Sequence, residues 1–568
     1  MEPERSRTVE QEPAEWVDVV VVGAGVSGIG MAWHLHDALP ELSFTLLEAR
    51  DAIGGTWDLF RYPGVRSDSD VQTYSYAFRP WTAPDMLASG DAILRYLDDT
   101  LDEHGLRAHV RLRHRVLGVE WSSARSCWTV DAERTDTGEP VCLRCSWLIA
   151  TTGYFRYDRG CTPEFAGLDR YRGTFLHAQE CPADLDVDGK RVAVIGSGAT
   201  AATLIPALAD RGAHVTMVQR SPSYYASLPR HDPIADALRR HLAPARAQRW
   251  TRSKNQATLA LFYRLCRWQP DRMKRLLVGD VRRRLPEGFD VERHFTPSYG
   301  PWDQRVCIVP GGDLFEAIRA GDVDVVTGVI DTFTEGGLRL CAGDEVDADV
   351  VIAATGLEVL ALGDVDVVVD GEAMPAAARL VYKSVMLSDV PNFGYVFGYT
   401  NASWTLKVDL AAAWLCRVIA HMRATGATKV VPPSPVGEMP TRSMLDLQAG
   451  YLLRAEDRLP RQGTGVWSVP KSYRADARRL LRDPVDDGTL KFSHTRVLDD
   501  RARSQRGGFL SPASSSSSSV RSPGGSSRRP PSNRSRRANW KRARFLHGRL
   551  EKAMSGLGAG SRSVDRWR

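Results

Sequence analysis

The chain has 568 residues, room for two or three domains with a sizeable buried core. Its 43% hydrophobic and 25% charged residues are ordinary for a soluble globular protein, and no apolar run approaches the roughly 20 residues of a membrane span. The net charge of +6 is unevenly spread: residues 501–568 hold 17 Lys and Arg against two acids, so residues 1–500 carry −9.

In chain order, Met1 to Trp16 is acidic and polar, without the apolar core of a signal peptide. An apolar, β-branched run from Val19 to Val22 then leads into Gly23-Ala24-Gly25-Val26-Ser27-Gly28 and a helical pattern. A second run from Val192 leads into Gly196-Ser197-Gly198-Ala199-Thr200-Ala201, about 170 residues later. Strand, glycine turn and helix in that order form a dinucleotide cradle. The first two glycines let the backbone approach a pyrophosphate, and the third small residue lets the helix pack on the strand. After the first motif, the strand Phe44 to Leu47 ends at Glu48, whose carboxylate suits ribose hydroxyls and repels a 2′-phosphate. After the second, the strand Val215 to Val218 ends in Gln219-Arg220-Ser221, where Arg220 offers a permanently charged fork for phosphate. The first cradle therefore fits FAD or NAD and the second NADPH. Opposite preferences in one chain point to an oxidoreductase that passes electrons from NADPH to a flavin.

The remaining elements divide the chain. The expected fold is α/β, with two nested Rossmann-like dinucleotide-binding domains. Residues 15–155 form the first part of an FAD-binding domain, closing on the strand-to-turn segment Leu148 to Gly153. Residues 156–345 form an NADPH-binding domain, interrupted at about 230–290 by an Arg-, Leu- and Trp-rich helical insertion, expected to be a solvated subdomain lining the substrate entrance. Residues 346–496 return to the FAD-binding domain; within them, Leu410 to Met422 reads as a buried or amphipathic helix. Cys142 and Cys145 lie on an apparent strand and so face opposite ways, and no other His/Cys cluster has metal spacing. The nine cysteines follow no framework spacing, as expected of a reducing compartment. Residues 497–568 form a basic Arg/Ser/Gly/Pro tail, expected to be disordered. Two origins fit it: a basic arm for nucleic acid or anionic lipid, or a stretch translated from a shifted frame of a GC-rich gene.

The segment after Glu48 separates the kinds of flavoprotein. Disulfide reductases carry two cysteines there, five apart; this chain has Gly54-Gly55-Thr56-Trp57-Asp58-Leu59-Phe60-Arg61-Tyr62-Pro63-Gly64-Val65-Arg66-Ser67-Asp68. In this segment it resembles the Baeyer–Villiger monooxygenases, closest to the ethionamide-activating type. The likeness continues through Gly300 to Arg305, Ala354-Thr355-Gly356 and Gly398 to Lys407, covering roughly residues 15 to 496, and it stops abruptly near Val497. That break favours the shifted-frame origin of the tail.

The resemblance implies chemistry at particular positions. Reduced flavin would take up O2 as a peroxide on its C4a carbon. The peroxide would attack a ketone carbonyl, and the adduct would rearrange to an ester or lactone. Arg305 matches the family's active-site arginine, and Asp68 the acid that holds it. A fixed cation there lowers the barrier by stabilising the negative charge of the adduct. Beside the glycines and Glu48, the match assigns Ser27, Thr56, Trp57, Asp58, Leu59, Asp68 and Val116 to FAD, and Ser197, Thr200, Ala201, Arg220 and Ser221 to NADPH. His177 is carried over as a catalytic linker residue.

Two departures matter. The family's FxGxxxHxxxW linker reads Tyr171, Gly173, His177 and Cys181 here, so an aromatic plate is lost where NADP+ shifts between poses. Gln304 stands where many relatives have Lys, which leaves NADPH affinity resting more heavily on Arg220. The expected partners are a small ketone or sulfide and O2, with no metal and no nucleic acid for the catalytic body. A cytoplasmic location is the default, with peripheral membrane contact through an apolar surface left open. S-oxygenation of sulfides or thioamides, and a non-catalytic FAD-binding regulator, stand as alternatives.

Overall fold

The structure is a computed structural model, and it describes residues 15–445 and 447–494. The basic tail expected at 497–568 lies outside the described residues.

The first unit is built on Glu15–Val22, whose valines 19 to 21 are fully buried because helices and strands cover both faces. Phe44–Leu47 and then Val110–Arg111 pair parallel on one side of it, and Pro140–Ala150 pairs parallel on the other. The far end of Pro140–Ala150 takes Phe393–Tyr395 as a further parallel neighbour. Its near end turns into an antiparallel meander through Cys127–Arg134 and His114–Ser122, closed by Asp366–Val369. Chain from both sides of the second unit thus completes this sheet. The helix Val26–Ala38 lies against the buried helix Trp404–Thr425. Gly30 permits that approach, since a Cβ there would sit 2.8 Å from Val408 Cγ1. The segment Leu410 to Met422 is the centre of this helix and is buried along most of its length. No helix among the described residues is long and apolar enough to cross a membrane.

The second unit is a five-stranded, all-parallel sheet in the order Thr174–His177, Val350–Ala353, Arg191–Ile195, His214–Gln219, Val323–Thr327. Val350–Ala353 is therefore a central strand of this sheet. A boundary at 345/346 assigns it to the return segment, whereas the chain leaves the second unit only after Ala353. An all-apolar strand reads alike in either sheet, so the sequence pattern alone does not reveal its partners. Two linkers carry the chain between the units, Phe155–Gly160 outward and Leu357–Val359 back, and they pair antiparallel with Arg156 Nε 2.9 Å from Glu358 Oε2.

The insertion is helical as expected: Pro233–His241, Pro244–Trp268 and Pro270–Arg284 each begin with a proline, whose missing N–H costs nothing in a first turn. It is tied to the first unit by Arg252 NH1, which donates to the carbonyls of Gln72 (2.9 Å) and Ser75 (2.6 Å), and by Asn255 Nδ2, which donates to Asp70 Oδ1 (2.7 Å).

Candidate active site

Both glycine motifs open onto one cavity of about 1340 Å³. In the first, Gly23 adopts φ +102°, and Gly25 caps the helix Val26–Ala38 with φ −79°, ψ −171° and no side-chain hydrogen bond to the first turn. Those first-turn N–H groups are left for a ligand, with the positive end of the helix dipole behind them. Gly28 does not line the cavity; a Cβ there would fall 1.9 Å from the Gly23 carbonyl oxygen, so glycine alone lets helix and turn close. Glu48 lines the cavity, nearly buried, with Oε2 accepting from Ala24 N–H (2.8 Å) and Oε1 from Arg50 N–H (3.0 Å). Burial raises its pKa, and each oxygen retains a lone pair for a ribose hydroxyl.

Ser27, Thr56, Trp57 and Val116 also line this end. Trp57 Nε1 donates to the Tyr74 hydroxyl (2.6 Å), and Ser27 Oγ accepts from Trp404 Nε1 (2.8 Å). Asp58 and Leu59 do not reach the cavity. The Asp58 carboxylate is buried and clamped by Arg50 (Nε 3.0 Å, NH2 2.6 Å) and by Arg61, so it braces the turn from behind.

The second cradle repeats the backbone. Gly196 adopts φ +142°, and Gly198 caps the helix Ala199–Ala209 with φ −79°, ψ −170°, again without a side-chain cap. A Cβ on Gly198 would meet nothing within 4 Å, so this glycine faces open cavity. Ser197, Thr200, Arg220 and Ser221 line it, while Ala201 is fully buried beneath the helix. Ser197 Oγ donates to the Ser221 carbonyl (3.0 Å), joining the turn to the strand end that carries Arg220. Arg220 is exposed at this wall and enters no ion pair among the described residues. Two uncapped helix ends, each behind a glycine where a side chain would intrude, fit the pyrophosphates of two dinucleotides.

Between the cradles stands a charged pair from distant segments. Arg305 Nε lies 3.0 Å from Asp68 Oδ2, and its NH2 donates to Oδ1 at 3.1 Å, a two-pronged contact across 237 residues. The Asp68 carboxylate holds the Arg305 guanidinium above its ordinary range, so the cation is permanent. Trp302, in the turn before Arg305, is buried at φ +68°, a left-handed conformation that a bulky residue keeps only when packing imposes it. Tyr154 and Tyr451 line the cavity beside the pair, and burial raises the pKa of both hydroxyls. Tyr154 also stacks on Trp404 at 5.3 Å and 11°.

Two further placements differ from expectation. His177 does not line the cavity. It is buried, its Nδ1 accepts the Gln179 N–H (3.1 Å), and its Nε2 lies 3.0 Å from the Gly356 carbonyl. Burial lowers its pKa, and these partners fix the neutral tautomer with the proton on Nε2. It therefore pins the return linker to the second sheet. Gly160 leaves the room for it, since a Cβ there would fall 1.9 Å from His177 Cε1. Likewise, no residue of 233–290 lines the cavity: Cys266, Leu277, Val278 and Val281 of the insertion pack in the second unit's core, while Arg252 and Asn255 hold it to the first unit. Cys181, where the motif has Trp, is buried in the second unit's core, and burial pushes its thiol up to about 11.

Tyr154, Tyr451 and Arg454 line the cavity without having been singled out from the sequence. A signal existed for Tyr154: it follows the Thr152-Gly153 turn that leads from one cradle to the other, so it must border the space between them. Nothing local marks Tyr451 or Arg454. Among the described residues, no group of three or more His, Cys, Asp or Glu could hold a metal.

A model for pyridine nucleotide-disulphide oxidoreductases matches residues 17–244, although all nine cysteines are free and none precedes Cys127. The chain is 46% identical over 481 residues to the FAD-containing monooxygenase EthA of Mycobacterium tuberculosis, spanning 84% of this chain and 98% of that protein. It is 43% identical over 479 residues to the probable FAD-binding monooxygenase AlmA of Acinetobacter baylyi, spanning 84% and 96%. Its fold matches an oxidised steroid monooxygenase bound to NADP with a TM-score of 0.66 at 22% identity, covering 84% of this chain and 100% of that one.

Proposed function

Because this chain belongs to the FAD-containing monooxygenases, we propose that it uses FAD and NADPH to insert one oxygen atom of O2 beside a ketone carbonyl, giving an ester or lactone. The observation that carries this reading is the forked Arg305–Asp68 pair on the cavity wall. When bound, the flavin supplies activated oxygen and NADPH supplies electrons.

The first cradle, with Gly23, Gly25, Ser27 and Glu48, holds FAD; the second, with Gly196, Gly198, Thr200 and Arg220, holds NADPH. Glu48 disfavours a 2′-phosphate at the first, while Arg220, which meets no carboxylate among the described residues, selects that phosphate at the second. Asp68 fixes the Arg305 guanidinium in one orientation, so no reorganisation is needed as negative charge develops on the former carbonyl oxygen. Tyr154 and Tyr451 exclude water from the same wall and keep their protons.

The test is product analysis with purified yellow enzyme, NADPH and a panel of ketones and thioethers. Ester formation that disappears in Arg305→Ala while FAD stays bound supports the reading. Sulfoxide without ester from any ketone would move the assignment to S-oxygenation.

A further inference from the structure

The insertion carries a surface that neither cradle uses. Residues 244–284 contain twelve Lys and Arg against two Asp, a net of +10, inside a body whose residues 1–500 sum to −9. Some of that charge is engaged: Lys254 pairs with Asp232, Arg267 with Asp303 and Arg284 with Asp280. Arg246, Arg264 and Arg275 are exposed and enter no ion pair among the described residues.

Large apolar side chains stand among these cations. Trp250, Leu261 and Trp268 of the helix Pro244–Trp268 are 53%, 57% and 75% exposed. At about 100° per residue they fall, with Arg264, within roughly 60° of one another, and they span about 27 Å of one helix face. Buried Ala247, Thr251, Asn255 and Cys266 lie about 70° to 170° round the helix from the middle of the stripe, so the stripe is held outward. On the next helix Leu276 is 57% exposed beside Arg275.

We propose that this face docks the enzyme on a bilayer surface rich in anionic lipid. Indole rings favour the boundary between headgroups and acyl chains, aliphatic side chains gain by entering it, and unpaired guanidinium groups meet lipid phosphates there. A nucleic acid would answer the charge and stack on the indoles, but it offers nothing to Leu261 and Leu276. A second copy of the same face would bring the cations Arg246, Arg264 and Arg275 against their own kind. The surface lies outside the cavity, so docking and oxygen transfer are separable.

The experiment is co-sedimentation of the full chain with vesicles of phosphatidylglycerol and phosphatidylcholine, compared with the triple variant Trp250→Ala/Leu261→Ala/Trp268→Ala. Residues 501–568 carry +15 and attract anionic vesicles equally in both proteins, so the difference between them is the readout. We expect the variant to bind at least tenfold more weakly, with NADPH oxidation in solution unchanged. Equal binding of the two proteins, or no binding by either, overturns the proposal. So does a variant that keeps vesicle binding but loses single-stranded DNA, which would make this a nucleic-acid surface. A self-associating full chain that the substitutions render monomeric, with vesicle binding intact, would assign the face to a second copy and also overturn it.

Discussion

The two cradles share a backbone to within a degree at their capping glycines, yet their surroundings are opposite. Gly25 and Gly198 adopt φ −79° with ψ −171° and −170°. Around the first, the chain closes: a Cβ on Gly25 would lie 3.6 Å from Gly55 Cα, and Glu48 is buried and held by two backbone amides. Around the second, a Cβ on Gly198 would touch nothing within 4 Å, and Arg220 is exposed. The same turn geometry thus stands in a closed setting at one cradle and an open setting at the other.

That contrast can be broken most sharply at the glycines. Gly28→Ala forces a Cβ to 1.9 Å from the Gly23 carbonyl, so we expect the purified protein to lose its yellow colour and about 3 kcal/mol of stability or more, read from absorbance and thermal unfolding. Gly198→Ala, by contrast, should leave the melting temperature unchanged and raise KM for NADPH, because the new methyl enters space reserved for a ligand. Equal destabilisation by both would erase the distinction. At the pair between the cradles, Arg305→Ala should retain FAD and lower ester formation by about 100- to 1,000-fold, measured as product per NADPH consumed. Arg220→Ala should weaken NADPH by roughly ten- to a hundredfold and leave NADH alone, as expected for loss of charge-assisted hydrogen bonds.

The smallest effect concerns pH. Burial raises the pKa of Glu48, so the folded state binds more protons than the unfolded one just above the ordinary value of 4.5. Stability contributed through this group is therefore present below 4.5 and falls as pH rises through the raised value. Glu48→Gln removes that dependence, so any stability deficit of the variant at low pH should shrink as pH rises. A deficit that widens would contradict the assigned direction.

The parts of this arrangement that were readable from sequence are those set by neighbouring residues. Strand, glycine turn and helix follow one another within about a dozen positions, so both cradles could be read directly, and the next strand end, about 20 positions on, brings Glu48 and Arg220 to their walls. Arg305 and Asp68 are 237 residues apart, and only the family likeness joined them. The boundary error at Val350–Ala353 arose because an apolar strand does not name its sheet. His177 looked catalytic by motif, but its ring is consumed by Gly356 and Gln179, contacts that depend on how the linkers return. The buried pair Lys407–Asp476, at 2.7 Å and with Tyr399 also donating to Asp476, was equally invisible, since nothing local predicts a lysine deep in a core.

Cofactor choice tests the central claim most directly. Steady-state kcat/KM for NADPH and NADH should be compared on the same purified enzyme at fixed ketone. Opposite guards at the two cradles predict at least a tenfold preference for NADPH, abolished in Arg220→Ala. Equal use of the two nicotinamides by the unaltered enzyme would contradict it.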